Sequence, residues 1–425
     1  MREIKKKINQ FFQKLGPGFI SGAADDDPTA IATYTQAGAQ FGYGQLWTAL
    51  FTFPFMSVIQ EMCGRIGMVT GKGLAGVIRQ HYSDWFLAGA VTLLLVANII
   101  NIGADLGAMA ASAELIFNIP FVFWLVGFTT IILILEISLS YKIYARYLKY
   151  FALTLLTYVV VALLVKQDWS EVIWHTFIPS FTYTEAFFLS LMAILGTNIS
   201  PYLFFWQAGE EVEEEVENGK LRTMGQGVPI VTKKEIKALK QDTIVGMLFS
   251  NVIVFFICLA TAGTLYKSGI TNIFNPAEAA KALEPIAGEW ATWLFALGII
   301  GSGLLAVPVL SGSASYAVAE SFGWKEGLYR KFSKAHGFYG VITVATLVGI
   351  LINFLSISPF QMLIYAAAIN GLLAPPLLIL ILFIANNKKI MGNYTNYWWS
   401  NLLGILITLL MLLASGFFLY QLPIW

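Results

Sequence analysis

The sequence predicts an all-α membrane protein of about eleven transmembrane helices, the first ten forming two inverted halves of five. Three observations carry that expectation: the length of the apolar runs, the placement of Lys and Arg, and a pair of matching interruptions. The chain has 425 residues, 57% of them hydrophobic and only 12% charged, so continuous apolar stretches fill it. At roughly 20 residues per crossing, spans fall at about 17–42, 45–67, 86–117, 119–139, 147–166, 185–208, 243–266, 289–320, 336–356, 359–386 and 398–420.

Cytoplasmic loops carry the excess of Lys and Arg. All of these residues except Lys166, Lys267 and Lys281 lie before span 1, or at or beyond the end of an even-numbered span. Only an odd number of spans preserves this alternation, which predicts a multi-pass protein of the cell membrane with a cytoplasmic N-terminus and an extracellular C-terminus. The opening MREIKKKINQFFQKLGPGFI leads into a segment containing Pro and Asp without a convincing cleavage site, so it reads as part of the mature chain rather than a secretory signal.

The interruptions are Asp27-Pro28 in span 1 and Ser200-Pro201 in span 6. A residue before proline is driven out of helical geometry, and Asp or Ser at an N-cap followed by Pro at the first helical position restarts a helix. Spans 1 and 6 are therefore expected as pairs of half-helices. Repeat one would cover about 17–166 and repeat two about 185–386, with about 398–420 an addition; five crossings per half is an odd number, so the halves enter the membrane from opposite sides.

Two hydrophilic stretches connect these elements. The charged stretch at about 209–242 begins GEEVEEEVENG and continues through Lys233, Lys234, Lys237 and Lys240. It is expected as a cytoplasmic loop whose glutamates form a solvated acidic face. NPAEAAKALEPIAGE, from Asn275 to Glu289, reads as a short amphipathic connector on the opposite side.

Unwound backbone at membrane depth persists only where it is buried in protein or lines a polar cavity, and paired broken helices point to a midplane substrate site. The first break carries Asp25, Asp26 and Asp27, and carboxylates within a span need a partner. No Lys, Arg or His lies near mid-membrane, so the expected partner is a positively charged substrate. Asp27 also suits the N-cap of the second half-helix. Across from it, LGTNISPYLFFWQ supplies Thr197, Asn198 and Ser200, together with carbonyls freed by the break. The local alternative is that Ser200 only caps and Thr197 bonds its own helix. Oxygen donors with few carboxylates suit a partly hydrated Mg²⁺. Asn98, Asn101 and Asp105 recur along one helical face, and Asn370 stands beside Gly371 ahead of Pro375-Pro376.

The remaining residue types narrow the function. His81, His175 and His336 fall in loops or at span ends, leaving no imidazole to relay protons across the bilayer. Cys63 and Cys258 have neither metal nor redox spacing and read as small core residues. No nucleophile and base stand at a usable spacing, so an enzyme is not expected. A net charge of +1, with basic residues spread as topology markers, excludes nucleic acid as a partner. The expected partners are a divalent metal ion and the lipid bilayer, with no obligatory protein partner and no cofactor; Mg²⁺ or Mn²⁺ would be cargo.

GPGFISGAADDDPTAIATYTQAGAQFGYG and LGTNISPYLFFWQ resemble spans 1 and 6 of the NRAMP family of divalent-metal transporters, and the likeness extends over nearly the whole chain. The family's DPGN motif falls on Asp27, Pro28, Thr29 and Ala30, and its A-x-x-M-P-H motif on Thr197, Asn198, Ile199, Ser200, Pro201 and Tyr202. The Asp is kept. The Met thioether, which favours soft metals, is replaced by the Ser200 hydroxyl, the family's His by Tyr202 and a later His by Gln207. The third-span D-x-x-E pair keeps Asp105 but has Ala108. This combination is similar to the NRAMP-related magnesium transporters. The resemblance implies a LeuT-type fold and alternating-access uptake of Mg²⁺, and of Mn²⁺, without strong proton coupling. The candidate metal set is Asp27, Thr197, Ser200, Asp26, Ala24 and Asn370, with Asp105, Asn101, Tyr202 and Asn198 along the path. A proton-coupled Mn²⁺/Fe²⁺ importer, and a carrier of the same fold for an organic cation or amino acid, stand as alternatives.

Overall fold

The computed structural model describes residues 16–139, 155–280, 288–355 and 357–421. The basic run before Gly16, the loop after span 4 with Lys142 and Arg146, the start of span 5 with Lys149, and the middle of the 275–289 connector with Lys281 lie outside the described residues. Regular structure among the described residues is helical, with no strand beyond a lone bridge between Thr223 and Gln226.

Span 1 is α1 (Pro17–Ala24) followed by α2 (Pro28–Phe41). Next come α3 (Trp47–Thr70), α4 (Leu74–His81), α5 (Asp84–Phe117) and α6 (Phe121–Ser138). The described part of span 5 contributes α7 (Leu156–Leu164), and α8 (Trp169–Phe177) follows it. Span 6 is α9 (Glu185–Asn198) followed by α10 (Pro201–Glu217). The second half continues with α11 (Lys233–Thr261), α12 (Ala291–Phe322), α13 (His336–Leu351) and α14 (Pro359–Asn386), before the additional α15 (Trp398–Gln421).

Eight described helical segments are long and apolar enough to cross a membrane. The other three spans escape that criterion for visible reasons. Span 1 is split by its aspartates, α3 interrupts its apolar run with Gln60, Glu61 and Arg65, and span 5 is described only in part.

The inverted repeat shows in which helices touch. α1 packs along α11 while α10 packs along α3, so each broken span leans on the second helix of the opposite half. A pseudo-twofold axis in the membrane plane generates this exchange. The third helices of the halves, α5 and α12, also pack against each other. In lipid no hydrophobic drive pulls helices together, so close backbone approach through small residues substitutes for it. A Cβ on Gly22 of α1 would lie 2.1 Å from the Gly246 carbonyl carbon of α11. One on Gly196 of α9 would lie 2.0 Å from the Ala367 carbonyl oxygen of α14. These glycines bring the polar middles of the broken spans against their neighbours.

The charged stretch departs from expectation. α10 runs on to Glu217 and α11 begins at Lys233, so helix occupies both ends of the expected loop. The glutamates do not form a solvated face: Glu210, Glu211, Glu213 and Glu215 are buried, and of the group only Glu217 is exposed. For Glu213 the cause is backbone elsewhere that needs acceptors. Glu213 accepts from the Leu328 and Tyr329 amides at 2.5 and 3.1 Å and from the Tyr316 hydroxyl at 2.7 Å, and so fixes the turn after α12. Within the 275–289 connector the described helix is the single turn Pro276–Ala280.

Candidate metal site

At the first break, Asp27 leaves the helix with φ −67° and ψ 171°, and its Oδ1 accepts from the Ala30 amide at 2.7 Å, capping α2. At the second, Ile199 and Ser200 are non-helical and α10 restarts at Pro201. Ser200 occupies the cap position without capping. Its hydroxyl turns back and donates to the Thr197 and Gly196 carbonyls at 2.5 and 3.1 Å. Thr197 likewise donates to the Ile194 carbonyl at 3.0 Å. Each hydroxyl thus spends its proton on its own helix and keeps oxygen lone pairs.

The two breaks meet. The Tyr202 hydroxyl, in the first turn of α10, donates to the Ala24 carbonyl at the end of α1 at 2.8 Å. Thr29, in the first turn of α2, donates to Asp105 Oδ1 of α5 at 3.0 Å. Asp27, Ala24, Thr197, Ser200, Tyr202 and Asp105 therefore belong to one buried region. Asn370 stands on α14 next to Gly371, whose amide would lie 2.5 Å from a Cβ on Gly196, and its Oδ1 is buried without a hydrogen bond.

Two expected residues have other duties. Asn198 donates to Tyr34 of α2 at 2.9 Å and to Thr52 of α3 at 2.7 Å, locking three helices together. The face of Asn98, Asn101 and Asp105 divides: Asn98 bonds the Leu310 carbonyl of α12 at 2.9 Å, whereas both polar atoms of Asn101 and Asp105 Oδ2 are buried without hydrogen bonds. Sequence reasoning passed over Ser250 of α11, whose hydroxyl lies 3.1 Å from Asp25 Oδ2 and 2.9 Å from Asp26 Oδ1. The signal was present, since Ser250-Asn251 is a polar pair inside the apolar run MLFSNVIVFF.

Electrostatically the region is one-sided. Asp25, Asp26 and Asp27 are 2%, 0% and 3% exposed, and none forms an ion pair among the described residues. One Ser250 proton serves only one carboxylate at a time, and Asp25 Oδ1 and Asp26 Oδ2 are without hydrogen bonds. Buried negative charge of this kind calls for a cation. Among the described residues no three Asp, Glu, His or Cys side chains converge as a metal cage. The donors that do gather are a capping carboxylate, hydroxyls and carbonyls.

A cavity of about 210 Å³, lined by Thr33, Gln36, Ser190, Ala193, Asn272 and Gln361 among others, lies between α2 and α9. On the opposite side Phe204, Phe205 and Trp206 are buried. There α1 is held by its N-terminal amides, with Asp242 of α11 accepting from Gly16, Gly18 and Phe19 at 2.8, 2.8 and 3.3 Å.

A family profile described as natural resistance-associated macrophage protein-like matches residues 18–421. The chain belongs to the Nramp family. As a member of this family of divalent-metal transporters, it is 26% identical over 421 residues to a divalent metal cation transporter MntH of Caldanaerobacter subterraneus subsp. tengcongensis, covering 97% of this chain and 94% of that one. It is 28% identical over 322 residues to an MntH of Agrobacterium fabrum, covering 72% and 66%. The crystal structure of the Eremococcus coleocola manganese transporter superposes with a TM-score of 0.73 at 17% identity, over 95% of this chain and 85% of that one. Mhp1, a nucleobase-cation-symport-1 family transporter, superposes with a TM-score of 0.56 at 14% identity, over 97% and 94%. Both likenesses speak for the fold: the Nramp architecture is the LeuT-type inverted repeat with spans 1 and 6 broken.

Proposed function

We propose that this Nramp protein takes up Mg²⁺, and Mn²⁺ with it, by alternating access and without strong proton coupling. One observation supports the choice of ion: the side chain at the second break is the Ser200 hydroxyl rather than a thioether, with its proton turned back on its own helix. Hard cations take oxygen ligands, and Mg²⁺ keeps several waters while using only one or two carboxylates. The proposed ligands are Asp27, Thr197, Ser200 and the Ala24 carbonyl, with Asp26 and Asn370 at the margin and Asp105 behind Thr29.

The loops rich in Lys and Arg would face the cytoplasm, placing the Asp242 latch on the inner side and the cavity at Thr33 on the outer side. An inward-negative potential is worth about 2.3 kcal/mol per charge per 100 mV, roughly 4.6 for a divalent ion. Uptake then needs no proton partner.

Purified protein in liposomes, loaded with a Mg²⁺ indicator and a lumenal pH dye, tests the reading. Mg²⁺ entry driven by a negative-inside potential, with the lumen staying at constant pH, is the expected result. Acidification tied to Mn²⁺ entry, with no Mg²⁺ entry, would instead establish a proton-coupled manganese importer. The manganese in that second reading is the ion named for the Eremococcus coleocola transporter.

A further inference from the structure

At the end of the molecule that carries the Lys- and Arg-rich loops, away from the breaks, lies a cavity of about 440 Å³. Its wall includes Lys72, Arg79, Lys325 and Arg330, the first just before α4, the second in its last turn and the other two after α12. None of the four forms an ion pair among the described residues. The two carboxylates in the same wall do not offset them fully. Glu320 is engaged by the Gly73 and Gly76 amides at 2.5 and 2.9 Å. Glu326 is 7% exposed and its Oε2 has no hydrogen bond.

Two further features describe what fits. Trp324, in the same wall, stacks on Phe322 with ring centroids 5.1 Å apart, and both rings are exposed at 45% and 65%. Aromatic rings in this posture mark the headgroup level of a bilayer. Across the turn that joins α4 to α5 opens an apolar groove of about 630 Å³ between α5 and α14, lined by Trp85, Phe86, Leu93, Leu380 and Phe383 among others. A basic pocket at headgroup level beside an apolar groove matches the two parts of one amphiphile.

We infer that this cavity is a binding site for the phosphate headgroup of an anionic phospholipid, with an acyl chain lying in the groove between α5 and α14. The phosphate would sit among Lys72, Arg79, Lys325 and Arg330, which matches how basic pockets between helices hold such headgroups. Burial, with Glu320 and Glu213 beside it, pushes the Glu326 carboxyl well above its ordinary range. In its neutral form Glu326 would donate to a phosphate oxygen rather than repel it. Occupancy would reach the transport machinery through Glu213, since this residue of α10 holds the 328–329 amides next to the cavity wall.

The experiment is native mass spectrometry of the intact protein released from nanodiscs of phosphatidylcholine containing phosphatidylglycerol. Retained phosphatidylglycerol is expected for the unaltered chain, and about fivefold weaker retention for each charge removed in Arg79→Gln and Arg330→Gln, from roughly 1 kcal/mol per basic residue near the surface. Arg79→Lys and Arg330→Lys, which keep the charge, should retain the lipid and so separate a lost site from a damaged fold. A control pair at the same end, Lys233→Gln and Lys237→Gln, should leave retention unchanged. Equal retention in the Gln variants, or equal loss in the control pair, would overturn the inference. Displacement of the lipid by millimolar inorganic phosphate or glycerol phosphate would also overturn it, by assigning the pocket to a soluble anion.

Discussion

The two broken spans solve the same geometric problem with opposite chemistry. At the first break the exposed helix end is capped by its own acid, with Asp27 Oδ1 on the Ala30 amide at 2.7 Å, and two more carboxylates precede it. At the second break no side chain caps α10, and both hydroxyls, Thr197 and Ser200, donate backward into α9. One half therefore brings the charge and the other brings neutral oxygen. Since the halves are related by inversion, the asymmetry is a property of side chains on a shared backbone plan. If the proposed ligand set is right, charge and selectivity are separable, with strength of attraction resting on span 1 and the kind of cation on span 6.

The sharpest way to break that division is Asp27→Asn. The amide oxygen still accepts from the Ala30 N–H, and Asn is as good an N-cap as Asp, so the unfolding midpoint should hardly move. Loss of the charge in a low-dielectric site should cut Mg²⁺ flux by at least about a hundredfold. A flux loss matched by an equal loss in Ser200→Ala would show that the breaks share the charge-handling role after all.

Selectivity comes next in size. Ser200→Met places a thioether, a soft ligand, where the hydroxyl oxygen stood. The ratio of Mn²⁺ to Mg²⁺ affinity measured by calorimetry should rise by about tenfold, with Ca²⁺ binding weakened. An unchanged ratio would remove span 6 from the choice of ion. Asp105→Asn should be milder, about threefold in flux: the Asn oxygen keeps the bond from Thr29, and the capping charge of Asp27 stays in place.

Much of this layout was legible in the sequence because its signals are local. A proline fixes its own φ and displaces its neighbour's conformation, so Asp27-Pro28 and Ser200-Pro201 announced the breaks without any tertiary information. Lys and Arg carry an equally local signal, since lipid penalises each charge wherever it falls, and the orientation read from them stays an expectation. What was hidden depended on partners far along the chain. Glu213 looked like one of a solvated run, and only the fold brings the 328–329 amides, more than a hundred residues away, onto it. Ser200 looked like a cap because the residue type and the following proline fit that role; the extended backbone at the break instead lets its hydroxyl reach the Thr197 carbonyl. Tyr202 stood at a motif position, yet its bond to Ala24 could be known only once the two breaks were seen to meet.

That bond gives the smallest predicted effect and the finest test of the two-break arrangement. Tyr202→Phe keeps the ring, which is buried, and removes only the donor to the Ala24 carbonyl. A buried acceptor left without a partner costs about 1 to 3 kcal/mol, so the unfolding midpoint in metal-free buffer should fall by a few degrees. If the Ala24 carbonyl is also a ligand, the bound cation supplies the partner that the phenol no longer provides. The deficit should then shrink when Mg²⁺ is added, and the Mg²⁺-induced rise in midpoint should be larger for the variant than for the unaltered chain. An equal drop with and without Mg²⁺ would make the Tyr202 bond a strut between the breaks and strike Ala24 from the ligand set. It would leave Asp27, Thr197 and Ser200 to hold the ion with a fuller shell of water.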